Sequence, residues 1–394
     1  MKKNASLFLI FLTVFIDLLG FGILIPILPA FAIKELGVSE FQVGIIVAVY
    51  SFVQFIFNPV FGKLSDRYGR RPLIIITLLL NAVGYLIFAY THSFVMLIIS
   101  RVVAGIGGSS IGVAQAYIAD VTTKENRSRG MGLIGAAFGL GFVFGPPVGG
   151  ILAKFGYSVI GFVSAGFSLL AFVTTIFALP ESLKKETREK QSEKKLQLID
   201  IKAFKSVFSH PDTGVLILLF FILTFSNANI YGTFPILGHK IYGFSDQQNG
   251  YIFGVMGIVS AAVGGGLRVI GKYLSEKRMV TFGALFMMVG LGMFPYGFGF
   301  WGLALICAVF SIGSGVLQPA LLSIISKAAS EKEQGFTLGV NQSVSAFARV
   351  LGPLWGGFSF QYIGYQFPFL TGAVFTFLIF MFSVSFLSKK LVIG

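Results

Sequence analysis

The stretch that decides the fold is GKLSDRYGRR, from Gly62 to Arg71. It lies between an apolar run over about residues 41–61 and a second run over about 72–90. It carries one acid and four cationic residues: Asp66, Lys63, Arg67, Arg70 and Arg71. Charge at this density is too costly for the hydrocarbon core of a bilayer. We therefore predict a water-exposed turn between two membrane spans, on the cytoplasmic side because cytoplasmic loops are rich in Lys and Arg.

The composition extends this prediction to the whole chain. Hydrophobic residues make up 55% of the 394 residues and charged residues only 12%, whereas about a quarter of the residues in a soluble domain are charged. Runs of about 20 apolar residues are typical of membrane helices, so we predict an all-α polytopic membrane protein. Its twelve apolar segments lie at approximately 6–33, 41–61, 72–90, 94–119, 129–153, 158–179, 213–238, 247–270, 279–298, 301–326, 334–359 and 365–387.

The basic residues predict the topology. Twelve spans place both termini on one side of the membrane. With both termini in the cytoplasm, 25 of the 30 Lys and Arg residues fall in cytoplasmic segments or at their edges, as expected for a plasma (inner) membrane protein. The net charge of +14 is thus a topology signal, and nucleic-acid binding is not expected. The first apolar run has no small-residue cleavage site, so it is interpreted as a span and not as a signal peptide.

The two halves of the chain repeat one another. GVSEFQVG from Gly37 matches GFSDQQNG from Gly243 at a displacement of 206 residues. GPPVGG from Gly145 falls on GPLWGG from Gly352 at a displacement of 207. Such a repeat predicts two pseudo-symmetric six-helix halves around a central cavity, with substrate bound near the bilayer midplane.

This organisation predicts three regions. Residues 1–180 and 212–394 are the two six-helix halves, and residues 181–211 form a cytoplasmic linker. The linker begins with a charge run, ESLKKETREKQSEKK, which is typical of a solvated segment. The following LQLIDIKAFKSVF has the apolar spacing of a short amphipathic helix on the membrane surface.

Two charged residues lie deep in predicted spans of the first half, Asp17 and Arg101. An acid near the bilayer centre costs about 3 kcal/mol on insertion scales and usually marks an ion or substrate path. Asp17 is therefore the candidate proton carrier. A protonation-dependent Asp17–Arg101 pair is the accompanying hypothesis. A structural salt bridge and a hydrogen-bonded neutral acid are the alternatives for Asp17.

Metal and nucleotide chemistry is not expected. The chain has one cysteine and three scattered histidines, which disfavours metal and disulfide motifs. GIGGSS from Gly105 lies inside an apolar span and not after a strand, and the sequence has no G-x-x-x-x-G-K-[ST] loop,. We expect no catalytic residue, no metal and no cofactor, and therefore not an enzyme. A proton gradient is the expected energy source.

Four motifs resemble those of the major facilitator superfamily, over essentially the full length of the chain. They are G-x-L-x-D-R-x-G-R-R from Gly62, L-x-x-x-R-x-x-x-G from Leu97, the LGFGILIPILP segment of the first span, and a glycine–proline spacing in the fifth span. The residues of the last motif are Gly132, Gly141, Gly145, Pro146 and Gly149. Their spacing resembles that of 12-span drug:proton antiporters, and the chain is similar to bacterial tetracycline efflux pumps. Glycines four apart let backbones approach, and proline bends a helix.

The resemblance implies a latch that holds the two halves in the outward-facing state and breaks when they rock. Its candidate residues are Gly62, Asp66, Arg67, Gly69, Arg70, Asp120 and Arg127. Asp66 can accept hydrogen bonds from helix N-termini and from arginine side chains. For Arg70 and Arg71 the alternative is a plain role as positive anchors of the topology.

Polar residues within spans are the candidates for the substrate cavity: Gln54, Gln115, Asn227, Asn229, Gln318 and Arg349. In the family the seventh and tenth spans line the cavity, which favours Asn227, Asn229 and Gln318. Arg349 could instead bond backbone carbonyls freed near Pro353. With 45 phenylalanines in the chain, an aromatic cavity suits a lipophilic substrate.

The sequence departs from the tetracycline pumps in one respect. Those pumps carry further acids in spans 3 and 9, whereas TLLLNAVGYLIFAY and TFGALFMMVGLGMF contain none. This argues against tetracycline–metal chelates as substrates. The first interpretation is proton-coupled export of a hydrophobic or amphipathic small molecule by a monomer in the lipid bilayer. A facilitator or importer of a lipid, sugar or organic anion is the alternative, followed by a non-transporting receptor.

Overall fold

The computed structural model describes residues 3–123, 126–183, 211–328 and 334–385. These ranges contain fourteen α-helices, two short 3-10 helices and no strand, which confirms the all-α prediction. The first eight helices are α1 (Lys3–Leu24), α2 (Ile27–Leu36), α3 (Glu40–Tyr68), α4 (Arg70–Ala89), α5 (Phe94–Gly107), α6 (Ser110–Val121), α7 (Arg127–Leu152) and α8 (Tyr157–Ala178). The others are α9 (Pro211–Lys240), α10 (Asp246–Tyr273), α11 (Glu276–Met293), α12 (Gly299–Ala328), α13 (Gln334–Tyr362) and α14 (Phe367–Ser385).

Eleven helical segments of the described chain are long and apolar enough to cross a membrane. An α-helix satisfies its backbone hydrogen bonds within the segment, as a lipid environment requires. The helix α13 occupies the predicted segment 334–359 but is not one of the eleven. It carries Asn341, Gln342 and Arg349 in its middle, which lowers its apolar character.

Two apolar segments that were predicted as single spans are broken helices. The first is interrupted between α1 and α2 at Pro26, because proline lacks an N–H and its ring clashes with the preceding turn. The fourth is interrupted between α5 and α6 at Gly108 and Ser109, with no proline nearby. The predicted amphipathic helix of the linker lies outside the described residues.

The described chain divides into two compact units. The first unit comprises Met1–Val38 and Val49–Ile199, and the second comprises Ser39–Ala48 and Asp200–Gly394. The first nine residues of α3, about two and a half turns, therefore belong to the second unit, whereas most of the helix belongs to the first.

Within the second unit, the first turn of α3 contacts α13 and the end of α9. The backbone N–H of Phe41 donates to Gln361 Oε1 at 3.1 Å, and Glu40 forms an ion pair with Lys240. A side chain at Gly357 would overlap the backbone of Glu40 and Phe41. The absence of a side chain at Gly357 thus lets the two helices touch backbone to backbone.

Candidate functional site

The first unit holds a buried carboxylate, that of Asp17 on α1, whose exposed fraction is 7%. Asn81 Nδ2 on α4 donates to both carboxylate oxygens at 3.0 Å. Ser168 Oγ on α8 donates to Oδ1 at 3.0 Å, and Ser110 Oγ on α6 donates to Oδ2 at 3.3 Å. We call these four residues the Asp17 cluster. A buried charge must be hydrogen-bonded to be tolerated, and here all the donors are neutral.

Arg101 on α5 is also buried, with 2% of its surface exposed. Its Nη2 donates to Ser100 Oγ at 2.9 Å, and its guanidinium carbon lies 5.7 Å from the centroid of the Phe88 ring. This is a cation–π arrangement. Arg101 Nε is buried without a hydrogen-bond partner in the described part of the chain.

Asp17 and Arg101 do not form an ion pair within 4.0 Å in this structure; the ion pairs of the described residues lie elsewhere. The carboxylate oxygens are occupied by Asn81 and two serines, and the guanidinium is turned to Phe88. Tyr85 on α4, which is 2% exposed, lies within electrostatic range of both charged groups. The hypothesised pair therefore stays a prediction for another protonation state.

The break between α5 and α6 lies beside the Asp17 cluster. Gln54 Nε2 on α3 donates to the carbonyl oxygen of Gly108 at 2.8 Å. A side chain at Gly108 would overlap the Tyr50 hydroxyl, and one at Gly107 would overlap Asn81. Glycine at these two positions lets α3 and α4 approach the break closely.

The glycines of the fifth span bring α7 against α1, the helix that carries Asp17. A Cβ added at Gly145 would lie 2.6 Å from the carbonyl carbon of Gly22, and one at Gly149 would overlap the Ile23 carbonyl. At Gly141 it would lie 3.1 Å from the carbonyl oxygen of Leu18. These glycines thus permit backbone contact between the two helices.

The other two residues of the fifth-span motif are placed differently. Pro146 lies inside α7, which continues through it as a helix. At Gly132 an added Cβ would meet nothing within 4 Å. The close approach of α7 to α1 therefore depends on the later glycines of the motif and not on Gly132.

Arg70, at the start of α4, joins the candidate latch residues. Its Nη2 lies 2.5 Å from Asp66 Oδ1, and its Nε lies 3.1 Å from Asp120 Oδ2. Its Nη1 donates to Ser65 Oγ at 2.5 Å. Asp120 also accepts a hydrogen bond from Ser182 Oγ at 2.9 Å. We call this set, with Arg70 at its centre, the Arg70 network.

Glu181, directly after α8, caps α4. Its Oε1 accepts from the backbone N–H of Arg70 at 2.9 Å, and its Oε2 from that of Arg71 at 3.2 Å. The first N–H groups of a helix have no partner within the helix and favour a negative charge. The expectation that the charge run is a solvated linker is therefore wrong at its first residue, because the carboxylate of Glu181 is held by a helix N-terminus.

The remaining latch candidates take different positions. Gly69 has φ 108°, in the left-handed region that favours glycine, and precedes α4,. The carbonyl oxygen of Gly62 accepts from Ser65 Oγ at 2.6 Å. The guanidinium of Arg67 lies 5.6 Å from the centroid of the Tyr68 ring. The side chain of Arg127 lies outside the described part of the structure.

The candidate cavity residues take different positions within their own units. Asn229 is 1% exposed, and its Nδ2 donates to the Pro368 carbonyl at 2.6 Å. Gln54 supports the break in the fourth span. Gln115 and Asn227 are half-buried, and Gln318 is exposed. Arg349 is half-buried and within electrostatic range of Tyr231 on α9.

The second unit contains an aromatic cavity of about 530 Å³ between α9, α13 and α14. Its lining is Phe221, Phe225, Leu351, Leu354, Trp355, Phe358, Thr371 and Phe375. None of the six candidate cavity residues lines it.

Sequence reasoning missed several residues of these sites. Asn81 stands in the apolar stretch TLLLNAVGYLIFAY, where an uncharged amide was a usable signal. Ser110 and Ser168 carried no signal, because serines are common where membrane helices pack. Among the described residues, no group of three or more His, Cys, Asp or Glu could hold a metal ion.

The family model described as Major Facilitator Superfamily matches residues 10–353 and 267–391. The chain is 31% identical over 378 residues to "Multidrug resistance protein 2" of Bacillus subtilis (strain 168), covering 94% of this chain and 92% of that protein. It is 28% identical over 370 residues to "Quinolone resistance protein NorA" of Staphylococcus aureus, covering 91% and 90%. It is 29% identical over 369 residues to "Tetracycline resistance protein, class E" of Escherichia coli, covering 89% and 87%.

Solved structures show the same fold. The human organic anion transporter MFSD10 (TETRAN) superposes with a TM-score of 0.72 at 24% identity, covering 97% of this chain and 100% of that one. The nucleoside transporter NupG superposes with a TM-score of 0.76 at 14% identity, covering 98% and 100%. The chain is therefore a multi-pass membrane transporter and not an enzyme, and it belongs to the Major Facilitator Superfamily.

Proposed function

We propose that the protein exports hydrophobic or amphipathic small molecules in exchange for protons, by alternating access. The names of its relatives support the substrate class, since they concern multidrug, quinolone and tetracycline resistance. The lack of acids in spans 3 and 9 argues against tetracycline–metal chelates. We therefore favour lipophilic aromatic compounds.

The environment of Asp17 is the observation that carries the proposal. The carboxylate is buried, and its hydrogen-bond donors are neutral side chains. Breaking a buried salt bridge is expensive because it leaves an unpaired charge behind. Asp17 can take up a proton without that cost, since no cation of the described chain lies in ion-pair range of it. A group of this kind is suited to load and release protons during transport.

The Arg70 network supports the gating part of the proposal. It links the end of α3, the start of α4 and the end of α6 through charged hydrogen bonds. Such bonds are about twice as strong as neutral ones. We propose that it stabilises one state of the transport cycle, with Gly62, Gly69 and Arg67 shaping its loop and Arg127 joining it.

The finer architecture is part of the same proposal. We propose twelve spans in two pseudo-symmetric halves, residues 1–180 and 212–394, joined by the linker 181–211. Both termini lie in the cytoplasm, the protein works as a monomer, and it needs no cofactor besides the proton gradient. The count of basic residues by side supports this topology,.

Transport in proteoliposomes tests the proposal. The purified chain is reconstituted with a pH-sensitive dye inside, and a fluorescent quinolone is added under a pH step. We expect substrate to move against its gradient while protons move the opposite way. Asp17→Asn should abolish the coupled movement. Asp246→Asn, a carboxylate in the first turn of α10, is the control that should keep it.

The alternatives give different results. Downhill substrate flux without proton movement, unaffected by Asp17→Asn, would indicate a facilitator. Flux of an organic anion that is lost with Arg349→Gln would indicate an anion carrier. No flux of any compound in a broad panel would indicate a non-transporting receptor. Each of these outcomes would overturn the proposal.

A further inference from the structure

The break in the fourth span is held by side-chain contacts that the proposed function does not require. Gly108 and Ser109 have helical backbone angles, φ −61° and −70°, but α5 ends before them and α6 begins after them. No proline stands at the break; a Gly–Ser pair does, which is a recognised site of helix interruption, and neighbouring side chains contact it. Gln54 donates to the Gly108 carbonyl, and Ser110 donates to Asp17.

A second observation at the break is a buried hydroxyl without a hydrogen-bond partner among the described residues. Ser109 is completely buried, and its Oγ has no hydrogen-bond partner in the described part of the chain. A buried hydroxyl without a partner is unfavourable. The backbone N–H of Ser109 bonds to Ile106 O at 3.2 Å, a tight three-residue turn. The local geometry therefore leaves one polar group whose bonding could improve on rearrangement.

Protonation of Asp17 must alter its hydrogen bonds. The carboxylate accepts four contacts, two from Asn81 and one each from Ser110 and Ser168. A proton on either oxygen turns that oxygen into a donor, so at least one contact is lost or reversed. The Asn81 NH2 group can only donate, whereas a serine hydroxyl can also accept. The Ser110 contact is the longest of the four.

Ser110 is also the first residue of α6, and a negative charge stabilises a helix N-terminus. Neutralising Asp17 would therefore weaken both the Ser110 bond and this charge–helix interaction. Ser168 lies in the middle of the uninterrupted helix α8. Loss of its contact would leave that helix in place.

We propose that Ser110 and Gln54 are positioning residues of the proton carrier, which hold the break at Gly108–Ser109 while Asp17 is ionised. On protonation of Asp17 the break loosens and α6 changes its angle to α5. The inference rests on the proposed function in one point, that Asp17 carries the proton. It adds the contacts through which protonation of Asp17 changes the helix backbone.

The ionisable groups around Asp17 are few. Tyr85 on α4 lies within electrostatic range of Asp17, and it is also within range of Arg101 on α5 and Tyr50 on α3. Its hydrogen-bond partners on α6 and α8 are serines, and α7 approaches α1 through glycines. Tyrosine and arginine side chains ordinarily titrate at alkaline pH. A response of the break between about pH 5 and about pH 8 would thus belong to Asp17.

Hydrogen exchange of the full-length protein in nanodiscs, without substrate, tests the inference. The peptide over residues 105–115 is followed at about pH 8 and about pH 5, with correction for the intrinsic exchange rate. We expect exchange in the wild type to be about tenfold faster at the lower pH, the effect of losing one hydrogen bond to a charged group. Ser110→Ala should exchange fast at both pH values, whereas the matched variant Ser168→Ala should keep the pH response.

Two further variants distinguish a specific effect on the break from a folding defect. Ser110→Thr keeps the hydroxyl and should behave as the wild type, and Gln54→Leu should exchange fast at both pH values. A wild type without pH response, or equal responses in Ser110→Ala and Ser168→Ala, would overturn the inference. If the protein exchanges protons for substrate but the break shows no pH response, only the inference on the break is overturned, and the proposed function stands. If the break responds to pH but transport is not coupled to protons, the proposed function is overturned, and the break remains a pH-sensitive element.

Discussion

Asn81 is the hydrogen-bond partner of Asp17 that contacts both of its carboxylate oxygens. The contacts come from its amide nitrogen, so in this structure a neutral side chain is a direct partner of the carboxylate. A buried ion pair would resist protonation, because the remaining charge would be stranded. A carboxylate held by an amide and two hydroxyls retains hydrogen-bonded partners in either protonation state.

A first prediction concerns this amide. Asn81→Leu keeps the volume of the side chain but removes two contacts to the carboxylate. Because an unsatisfied buried polar group costs about 1–3 kcal/mol, the rate of proton-driven transport should fall at least about fivefold. The measurement is the initial rate in proteoliposomes. Thr77→Val, one turn away on α4 and bonded only within its own helix, should stay close to the wild-type rate.

At the scale of elements, the close contact of α1 and α7 shows why the fifth span is rich in glycine. Gly145 and Gly149 touch the backbone of α1, so the helix with the buried acid is held without intervening side chains. Backbone-to-backbone contact of this kind replaces the hydrophobic effect, which does not drive helix association in lipid. The motif therefore fixes the position of Asp17 relative to its donors on other helices.

A second prediction uses two glycines of the same helix. Gly149→Ala would force α7 away from Ile23, whereas Gly132 has open space around it. Overpacking costs about 1–3 kcal/mol, and alanine in place of glycine favours a helix by about 1 kcal/mol. Gly149→Ala should therefore lower the thermal unfolding temperature in detergent, and Gly132→Ala should maintain or raise it. Equal effects of both variants would contradict the assignment.

A third prediction concerns the cap of α4. Glu181→Gln keeps one acceptor oxygen but turns an NH2 group towards the second backbone N–H. We expect a loss of about 1 kcal/mol in the free energy of unfolding. Denaturant or thermal unfolding in detergent measures it. Glu35→Gln, an exposed acid near the end of α2, should leave stability unchanged; an equal loss there would show a general effect of charge.

At the scale of the whole molecule, the Arg70 network and the Asp17 cluster lie at different places in the first unit. One holds loop and linker residues together by charge, and the other surrounds a buried acid. In the proposed cycle the first controls the exchange between states and the second controls proton loading. The two functions are therefore separable by mutation.

A fourth prediction tests this separation. Asp66→Asn removes one carboxylate partner of Arg70 but leaves Asp120 and Ser65 in place. Turnover should fall severalfold, while the dissociation constant for substrate stays within about twofold of the wild type, because binding does not use the network. Transport rates and equilibrium binding to the purified protein provide the two measurements. Arg70→Lys should reduce turnover further, and equal losses of binding and turnover would refute the assignment.

The sequence by itself determined the helical class, the family and the prominence of Asp17. Long apolar runs leave the backbone no other solution in lipid, and an isolated acid in such a run is costly enough to be informative. Asp66 and Arg70, in the motif that starts at Gly62, and Asp120, at the end of the fourth span, were also recognisable as latch candidates. The spacing of glycines pointed to close helix contact, though not to its partner.

Only the tertiary structure decided which residues meet. Asn81, Ser110 and Ser168 are separated from Asp17 by 64, 93 and 151 positions, and no local pattern encodes such contacts. The same holds for Glu181, which reaches Arg70 across 111 positions. Sequence periodicity reports how each helix faces its surroundings, whereas the polar partners of a buried charge depend on how several helices pack together. In this structure that packing surrounds Asp17 with neutral donors, and the Asp17–Arg101 pair stays a prediction for another protonation state.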